Sequence, residues 1–548
     1  MTSDKAIYKR ILRDMRLFSA GVLGMPLYDY QLAPLAAVAE SVLQRQGREF
    51  LLVFPRQSGK NEAVAHLLVY LLNLLRRRRG QIVYAAIGDN LGRGIQRLEA
   101  RLENPMDRGQ WRKGARPLRR SLGRASVVFL SSHPGAFSRG ETAHWLLAVD
   151  ELQDHDAAHL EAVFEPMRAA HNATALYLGT VRYRHDALWQ KKEALERLAA
   201  EDGVRRVFLV PPAAVIAANP AYGDFLAGKE RRLGSRHPIV QSEYYLRPLD
   251  GEAGLFSPRR LALMRGEHPR LHGPESVPGT GGFETRPYHT YIATLDVAGQ
   301  DEASTDPVAQ LAAPGRDYTV CTIFRLSSAR SDGSPAHLPL YEAVDVFVDH
   351  GSRHFQDAPG RPALVQRLLA YLHHWRVAHL VADATGVGEG LVDWLAAALG
   401  PGRVTPFKFT AQSKAQLGSR FLSIVETGRF KYWADSDQLS VGSSQLAVDD
   451  PLTTDHYQLP TDSSLFFLQA AHCLYELPPG GSFERHLRWG VPEGVTVETP
   501  AGRQPLHDDR LLSAALVAAY DELAATGGLR LGQGVSAVVP PPEPAVSF

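Results

Sequence analysis

Cysteine is scarce, with two in 548 residues. Cys321 and Cys473 lie far apart in apolar segments, without the paired spacing of a zinc site, and the 21 histidines are scattered rather than set at ligand intervals. A disulfide scaffold is thereby excluded, and two reduced, buried thiols are expected. Charge imbalance is missing too. The net charge of +1 marks neither a polycation nor an acidic tail protein, so any contact with nucleic acid must come from local basic patches. Long hydrophobic runs are absent: the most apolar stretch, Ala63 to Leu75, is too short for a bilayer and carries His66 and Asn73. The first residues hold Lys5, Lys9, Arg10 and Arg13 among polar residues and lack a long apolar stretch before a cleavage site, which does not read as a secretory signal. Internal repeats are also lacking. What remains is the composition of soluble globular proteins, 45% apolar and 22% charged, over a length that calls for two cores.

Short apolar runs alternate with helical patterns from Phe50 to about Val210. The runs Phe50–Phe54, Gln81–Ala86, Ser126–Leu130, Trp145–Val149, Ala175–Leu178 and Arg206–Val210 read as strands, with helices at Lys60–Leu75 and Asp156–Ala169. That alternation predicts an α/β domain with a parallel sheet over residues 1–250. Periodicity then fails between Gly251 and Thr285, where four prolines and several glycines gather, and residues 251–285 are expected to be a linker. A second pattern occupies 286–526. Three strands (Tyr291–Val297, Val320–Leu326, Leu340–Val348) precede helix Pro362–Trp375, strand His379–Asp383, helix Val387–Leu399, strand Val404–Phe409 and a last helix from Asp509 to about Ala524. This predicts a mixed sheet flanked by helices. Tyr432–Leu465 resists assignment and reads as an insertion; the Gly/Pro-rich residues 527–548 are expected to be disordered.

Two groups of residues carry chemistry. Strand Phe50–Phe54 runs into Pro55-Arg56-Gln57-Ser58-Gly59-Lys60-Asn61 and then a helix. A strand, a loop ending in Gly-Lys and a helix N-terminus form a phosphate cradle, with backbone N–H groups facing the anion and the lysine reaching its outer oxygens. Two positions depart from the strict pattern: Phe54 stands for the first glycine, and Asn61 for the Ser/Thr that would hold magnesium. The apolar run Trp145–Val149 ends in Asp150-Glu151, where the first acid would hold magnesium and the second polarise water. Gln31, beside Tyr28 and Tyr30, can read an adenine edge, and Thr180, at the end of the next strand, can sense a γ-phosphate. In the second half Asp296 and Asp383 end strands, and Asp508-Asp509 opens a helix. Carboxylates gathered from such positions bind hard divalent cations, and two ions about 3.5–4 Å apart can drive phosphodiester hydrolysis. Which of Asp508 and Asp509 is the ligand stays open; the other reads as a helix cap. Arg76–Arg79, Lys408, Lys414 and Arg420 are secondary candidates for DNA phosphates, and His507 for assistance at the metal site.

Arg56 within the phosphate loop, Gly59-Lys60, Ser138-Arg139-Gly140 ahead of Asp150-Glu151, Gly179-Thr180, and Asp383-x-x-Gly386-x-Gly388 after Asp296 together resemble the large terminase subunit of tailed bacteriophages, over roughly residues 25–525. The resemblance implies a P-loop ATPase followed by a ribonuclease H-like nuclease, using ATP and Mg2+, with Mn2+ an option at the nuclease. It implies that Lys60 and Arg56 contact phosphates, that Glu151 activates water, that Thr180 couples hydrolysis to movement, and that Arg139 is a finger given to a neighbouring subunit. The implied partners are double-stranded DNA, a portal protein, a small terminase subunit and four further copies in a ring, in the host cytoplasm and at the procapsid. A helicase–nuclease, and a docking subunit whose ATPase has decayed at Phe54 and Asn61, are the rival readings.

Overall fold

The computed structural model describes residues 10–133, 140–184, 186–249, 254–275, 289–298, 318–328, 338–350, 353–386, 388–433, 461–478, 481–499 and 502–526. The chain divides into two compact units, the first ending at Gly251 and the second taking up the chain from Glu252, with residues 232–234 counted to the second.

The first unit is built on an eight-stranded sheet: β1 (Glu49–Val53), β2 (Gly80–Ala86), β3 (Trp111–Gly114), β4 (Arg119–Leu122), β5 (Ala125–Ser131), β6 (Leu146–Val149), β7 (Thr174–Gly179) and β8 (Val207–Leu209), in the order β3-β4-β5-β2-β6-β7-β1-β8. All pairs from β5 to β8 are parallel; β3, β4 and β5 pair antiparallel. The central strands are buried along nearly their whole length, as strands covered by helices on both faces must be, and this is why they read as unbroken apolar runs. The hairpin β3–β4 has no counterpart among the expected strands. Its residues, such as Trp111-Arg112-Lys113-Gly114, are polar and half exposed, so they leave no apolar trace. Helix Lys60–Leu75 is buried on most of its circumference. The helix anticipated over Asp156–Ala169 is broken into Ala157–His159, a π turn Leu160–Phe164 and Pro166–Ala169; Pro166 has no amide hydrogen to continue the ladder.

The second unit holds a six-stranded mixed sheet of β9 (Thr290–Asp296), β10 (Thr319–Ser328), β11 (Pro339–Asp349), β12 (His379–Asp383), β13 (Val404–Phe407) and β14 (Phe430–Tyr432), ordered β13-β12-β9-β10-β11-β14. β9, β10 and β11 are antiparallel, while β12 lies parallel between β9 and β13. The fold is therefore α/β, a parallel-dominated sheet followed by a mixed one. The final helix is two, Asp509–Ala515 and Val517–Ala525.

The stretch read as a linker is in part a packed element of this unit. Gly254 bridges to Leu474, helix Pro258–Met264 carries Arg260 to Glu426, and the Leu271 N–H donates to Val344. Prolines and glycines here mark irregular backbone, which a sheet can still cover. Of the region that resists assignment, Tyr432 ends β14 and Asp462–Leu465 open helix Asp462–His472, whereas 434–460 and the tail 527–548 lie outside the described residues.

Candidate nucleotide and metal sites

β1 delivers the chain to the phosphate loop, and its parallel neighbour β7 lies beside β6, which ends at Val149 just before Asp150-Glu151. The loop turns on Gln57 (φ 63) and Gly59 (φ 83), both left-handed. The left-handed φ of Gly59 favours glycine, and a Cβ there would stand 2.6 Å from Gln31 Nε2 and displace that amide from the loop. Ser58 Oγ closes the turn on the Pro55 carbonyl at 2.6 Å.

Lys60 and the two acids meet. Lys60 Nζ is 2.9 Å from Glu151 Oε1 and 3.4 Å from Asp150 Oδ1, with its side chain 10% exposed. Burial alone would lower the lysine pKa, but the paired acids outweigh it and hold the ammonium charged. Burial alone would likewise raise Glu151, yet Lys60 and a hydrogen bond from Gln153 bring it below the ordinary carboxylate value. Asp150 also accepts from the Tyr84 hydroxyl at 2.7 Å; burial and this aspartate push the Tyr84 pKa well up, so the phenol stays a donor.

Glu151 is held in the left-handed region at φ 53, a conformation costing a non-glycine residue about 1–2 kcal/mol. Five bonds set it there. Its N–H donates to Asp150 Oδ1 at 3.0 Å, its carbonyl accepts from Asp154 N at 2.9 Å and lies 3.0 Å from His155 Nδ1, Oε1 takes Lys60, and Oε2 takes Gln153 Nε2 at 2.7 Å. Gln153 and His155 are not among the sequence candidates. The signal available was the run Asp150-Glu151-Leu152-Gln153-Asp154-His155, dense in polar residues just after a buried strand.

Some expectations change. Gln31 does not present a free amide edge to a base. Its Oε1 accepts from Tyr28 N at 3.0 Å and its Nε2 lies 3.4 and 3.3 Å from the Ser58 and Gly59 carbonyls, so here it braces the loop. Arg56 Nη1 pairs with Glu243 Oε2 at 2.6 Å. Thr180 contributes its backbone N–H, which donates to Gln153 Oε1 at 3.0 Å. Arg139, with Ser138, lies outside the described residues. Asn61 Oδ1 is buried and has no hydrogen-bond partner among the described residues. An orphaned amide oxygen beside a phosphate loop suits a hard cation such as Mg2+, as the nearby carboxylates do. The exposed Tyr28 ring stacks on Tyr30, whose hydroxyl donates to the Ser58 carbonyl at 2.9 Å, leaving an aromatic face beside the loop.

In the second unit, Asp296 and Asp383 end adjacent parallel strands. Ala382 lies opposite Leu295, so the next residues, Asp383 and Asp296, share one edge of the sheet. Helix Asp509–Ala515 lies across β9 and β10: Ser513 Oγ is 2.9 Å from Thr322 Oγ1 and 3.2 Å from the Thr294 carbonyl. One turn earlier on that face, Asp509 is buried and its Oδ2 accepts from Tyr318 N at 3.0 Å, next to the start of β10, where Val320 is opposite Asp296. Asp508 goes elsewhere: its Oδ2 lies 3.7 Å from Lys414 Nζ, and it makes no capping bond. Asp509, rather than Asp508, thus lies beside the start of β10, the strand that pairs with the end of β9 at Asp296.

Among the described residues, however, no three His, Cys, Asp or Glu side chains are close enough to hold a metal ion together. Two of the carboxylates are turned onto backbone amides, Asp509 onto Tyr318 and Asp383 onto Thr385 at 2.9 Å. Burial raises the Asp383 pKa against those Thr385 bonds. An all-oxygen set with a desolvated carboxylate fits a hard divalent cation, which would supply the compensating charge. The secondary basic candidates are engaged: Lys408 with Glu389 at 2.8 Å, Lys414 with Asp508, and Arg420 with Glu522. Arg77, Arg78 and Arg79 are exposed after the helix end, while Arg76 donates to Gln110 at 2.6 Å. Cys321 and Cys473 are buried free thiols. No described helix is long and apolar enough to cross a membrane.

No family model matches the sequence, and no curated protein matches it. Solved structures do. The large terminase of a thermophilic bacteriophage, in one of its crystal forms, is similar over 90% of this chain and 99% of that one, at 10% identity and a TM-score of 0.43. The large terminase of bacteriophage HK97 is similar over 93% and 99%, at 14% identity and a TM-score of 0.37. The large terminase nuclease of thermophilic phage G20c with bound magnesium is similar over 50% and 98%, at 17% identity and a TM-score of 0.29.

Proposed function

We propose that this chain is a DNA-packaging motor, a large terminase subunit that hydrolyses ATP to move double-stranded viral DNA into a procapsid and cuts that DNA with its second unit. The observation that carries the reading is the meeting of Lys60 with Asp150 and Glu151 beyond a glycine-turned loop, in a chain whose other sheet ends two adjacent strands in Asp296 and Asp383, with Asp509 bonded to Tyr318 beside the start of β10.

Loop amides and Lys60 would bind the phosphates of ATP, with the Tyr28 face beside the base. Asp150 and the Asn61 carbonyl would hold Mg2+, which supplies charge to offset the phosphate oxygens. A phosphate that takes the Lys60 ammonium frees Glu151 Oε1. With Lys60 drawn to the phosphate, the Gln153 bond at Oε2 and the bonds of its own backbone still aim Glu151, so it can accept a proton from the attacking water. Arg139 would complete a neighbour's site, giving a ring on a portal vertex in the host cytoplasm, fed by a small subunit. In the second unit Asp296, Asp383 and Asp509 would hold the Mg2+ or Mn2+ that activates water against a DNA phosphate.

The test uses the full chain with DNA and Mg2+, following phosphate release and plasmid cleavage separately. Lys60→Ala should abolish phosphate release and leave cutting in place. A wild-type chain with cutting but no ATP turnover would favour the docking subunit, and wild-type turnover in Lys60→Ala would remove the phosphate-loop assignment.

A further inference from the structure

Gln153 and Asp154 follow Glu151 and bond beyond the nucleotide site as well. Gln153 is buried and spends both ends of its amide: Nε2 donates to Glu151 Oε2 at 2.7 Å, and Oε1 accepts from Thr180 N at 3.0 Å. Asp154 pairs with Arg182. Residues Leu152–Asp154 form a single 3-10 turn, so both tethers leave from one short rigid piece and both end on the segment after β7. Gly179 keeps that space open, since a Cβ there would run into Gln153 Oε1 and Leu188 Cδ1.

The segment after β7 is bonded onward. The Leu249 N–H donates to the Arg182 carbonyl at 2.7 Å, the Arg184 N–H donates to the Leu249 carbonyl at 3.3 Å, and Tyr183 and Leu249 form a parallel bridge. Leu249 stands two residues before Gly251, where the first unit ends. The phosphate loop reaches the same stretch of chain from its other side. Arg56 N donates to the Glu243 carbonyl at 2.9 Å, and Arg56 Nη1 bonds the Glu243 carboxylate. Glu243 lies in the π turn Val240–Tyr244, a backbone form that recurs at functional sites.

We propose that Gln153 is a positioning residue that sets the Glu151 carboxylate and transmits the state of the nucleotide site through residues 180–184 to Leu249, the exit of the first unit. The inference rests on the ATPase reading. Once a phosphate takes Lys60, Gln153 is the remaining side-chain hydrogen bond to the Glu151 carboxylate among those described. Wherever Thr180 N–H places the Gln153 amide, Glu151 follows. An amide donates at one end and accepts at the other without charge, which is what the two partners demand. A displacement of Glu151 therefore moves the 180–184 segment, and Leu249 is hydrogen-bonded to that segment in both directions.

The experiment measures hydrogen exchange of the full chain with and without ATP-γ-S, reading the amides of residues 247–249, alongside steady-state ATPase and the affinity of a fluorescent ATP analogue. In the wild type the nucleotide should change exchange at Leu249. Gln153→Ala should erase that change and lower kcat about 10- to 100-fold, the loss expected of a misplaced catalytic group, with KM and analogue affinity within about twofold. Gln153→Met keeps the size and adds no charge, but can neither donate to Glu151 nor accept from Thr180. It should show the same kcat defect with analogue affinity within about twofold of wild type, which a loss of folding would not produce. The proposal is overturned by wild-type kcat and an intact response at Leu249 in Gln153→Met, or by variants that lose affinity and melting temperature together. A wild-type chain that binds no ATP analogue overturns the ATPase reading, and the transmission with it.

Discussion

Replacing Lys60 with methionine keeps the length and apolar stem of the side chain and removes only the charge. The lysine lies 2.9 Å from Glu151 and 3.4 Å from Asp150, with 10% of its side chain exposed. Removing one partner of a buried ion pair costs roughly 3–5 kcal/mol, because the other charge is left uncompensated. Here Gln153 and Tyr84 still donate to the two acids, so about 2–3 kcal/mol is the reasonable loss for this unit. At roughly 2–4 °C per kcal/mol for a unit of this size, its melting transition should fall by about 5–10 °C at pH 8. The sign with pH follows from the shifts. Lys60 is raised, so its contribution is present below the unfolded lysine value and fades only at high pH. Glu151 is lowered, so its contribution is present above the unfolded glutamate value and is lost as pH falls through the folded one. Without the ammonium, Glu151 rises and gains by protonation, so the deficit of Lys60→Met should shrink toward pH 5. Adding Glu151→Gln should restore most of the stability at pH 8 without restoring ATP turnover. Thermal melts of the wild type, Lys60→Met and the double variant at the two pH values decide it. A Lys60→Met chain melting within about 1 °C of wild type at pH 8 would refute the buried pair.

Asp509→Asn should reduce plasmid cleavage by orders of magnitude, as should Asp296→Asn and Asp383→Asn. Asp508→Asn should reduce it only mildly, since Asp508 faces Lys414; equal losses at 508 and 509 would contradict the placement. Gly59→Ala sets a left-handed backbone against a Cβ 2.6 Å from Gln31 Nε2, and should weaken binding of an ATP analogue at least tenfold, about 1.4 kcal/mol; unchanged affinity in titrations would dismiss the loop geometry. Glu426 is buried, which alone would raise it, but Arg260 and Arg259 at 2.6 and 2.8 Å bring its pKa below the usual value. Its stabilisation of the second unit is therefore present above the unfolded glutamate value and lost as pH falls through the folded one, and Glu426→Gln should flatten that acid limb in denaturant melts at pH 7 and pH 4.

By itself the sequence determined the strands of both sheets that are buried on two faces, because burial forces an apolar run whatever its neighbours. It also determined the phosphate loop and the acids at strand ends, because a turn that needs glycine, or a carboxylate where a strand stops, is a local requirement. Local signals stop where partners come from afar. Hairpin β3–β4 is polar and owes its place to pairing with β5, and the proline-rich stretch after Gly251 became part of a unit through Arg260, Arg270 and Leu271, whose partners lie some 75 to 170 residues on. Two adjacent aspartates, 508 and 509, are alike in sequence. Only the lie of their helix across β9 and β10, fixed by Ser513 against Thr322 and Thr294, set one against Tyr318 at the start of β10 and the other toward Lys414. Gln31 and Gln153 were decided in the same way. An amide is satisfied by whatever donor and acceptor the packed chain brings within 3 Å or so, and that choice belongs to tertiary structure because hydrogen bonds act only at contact.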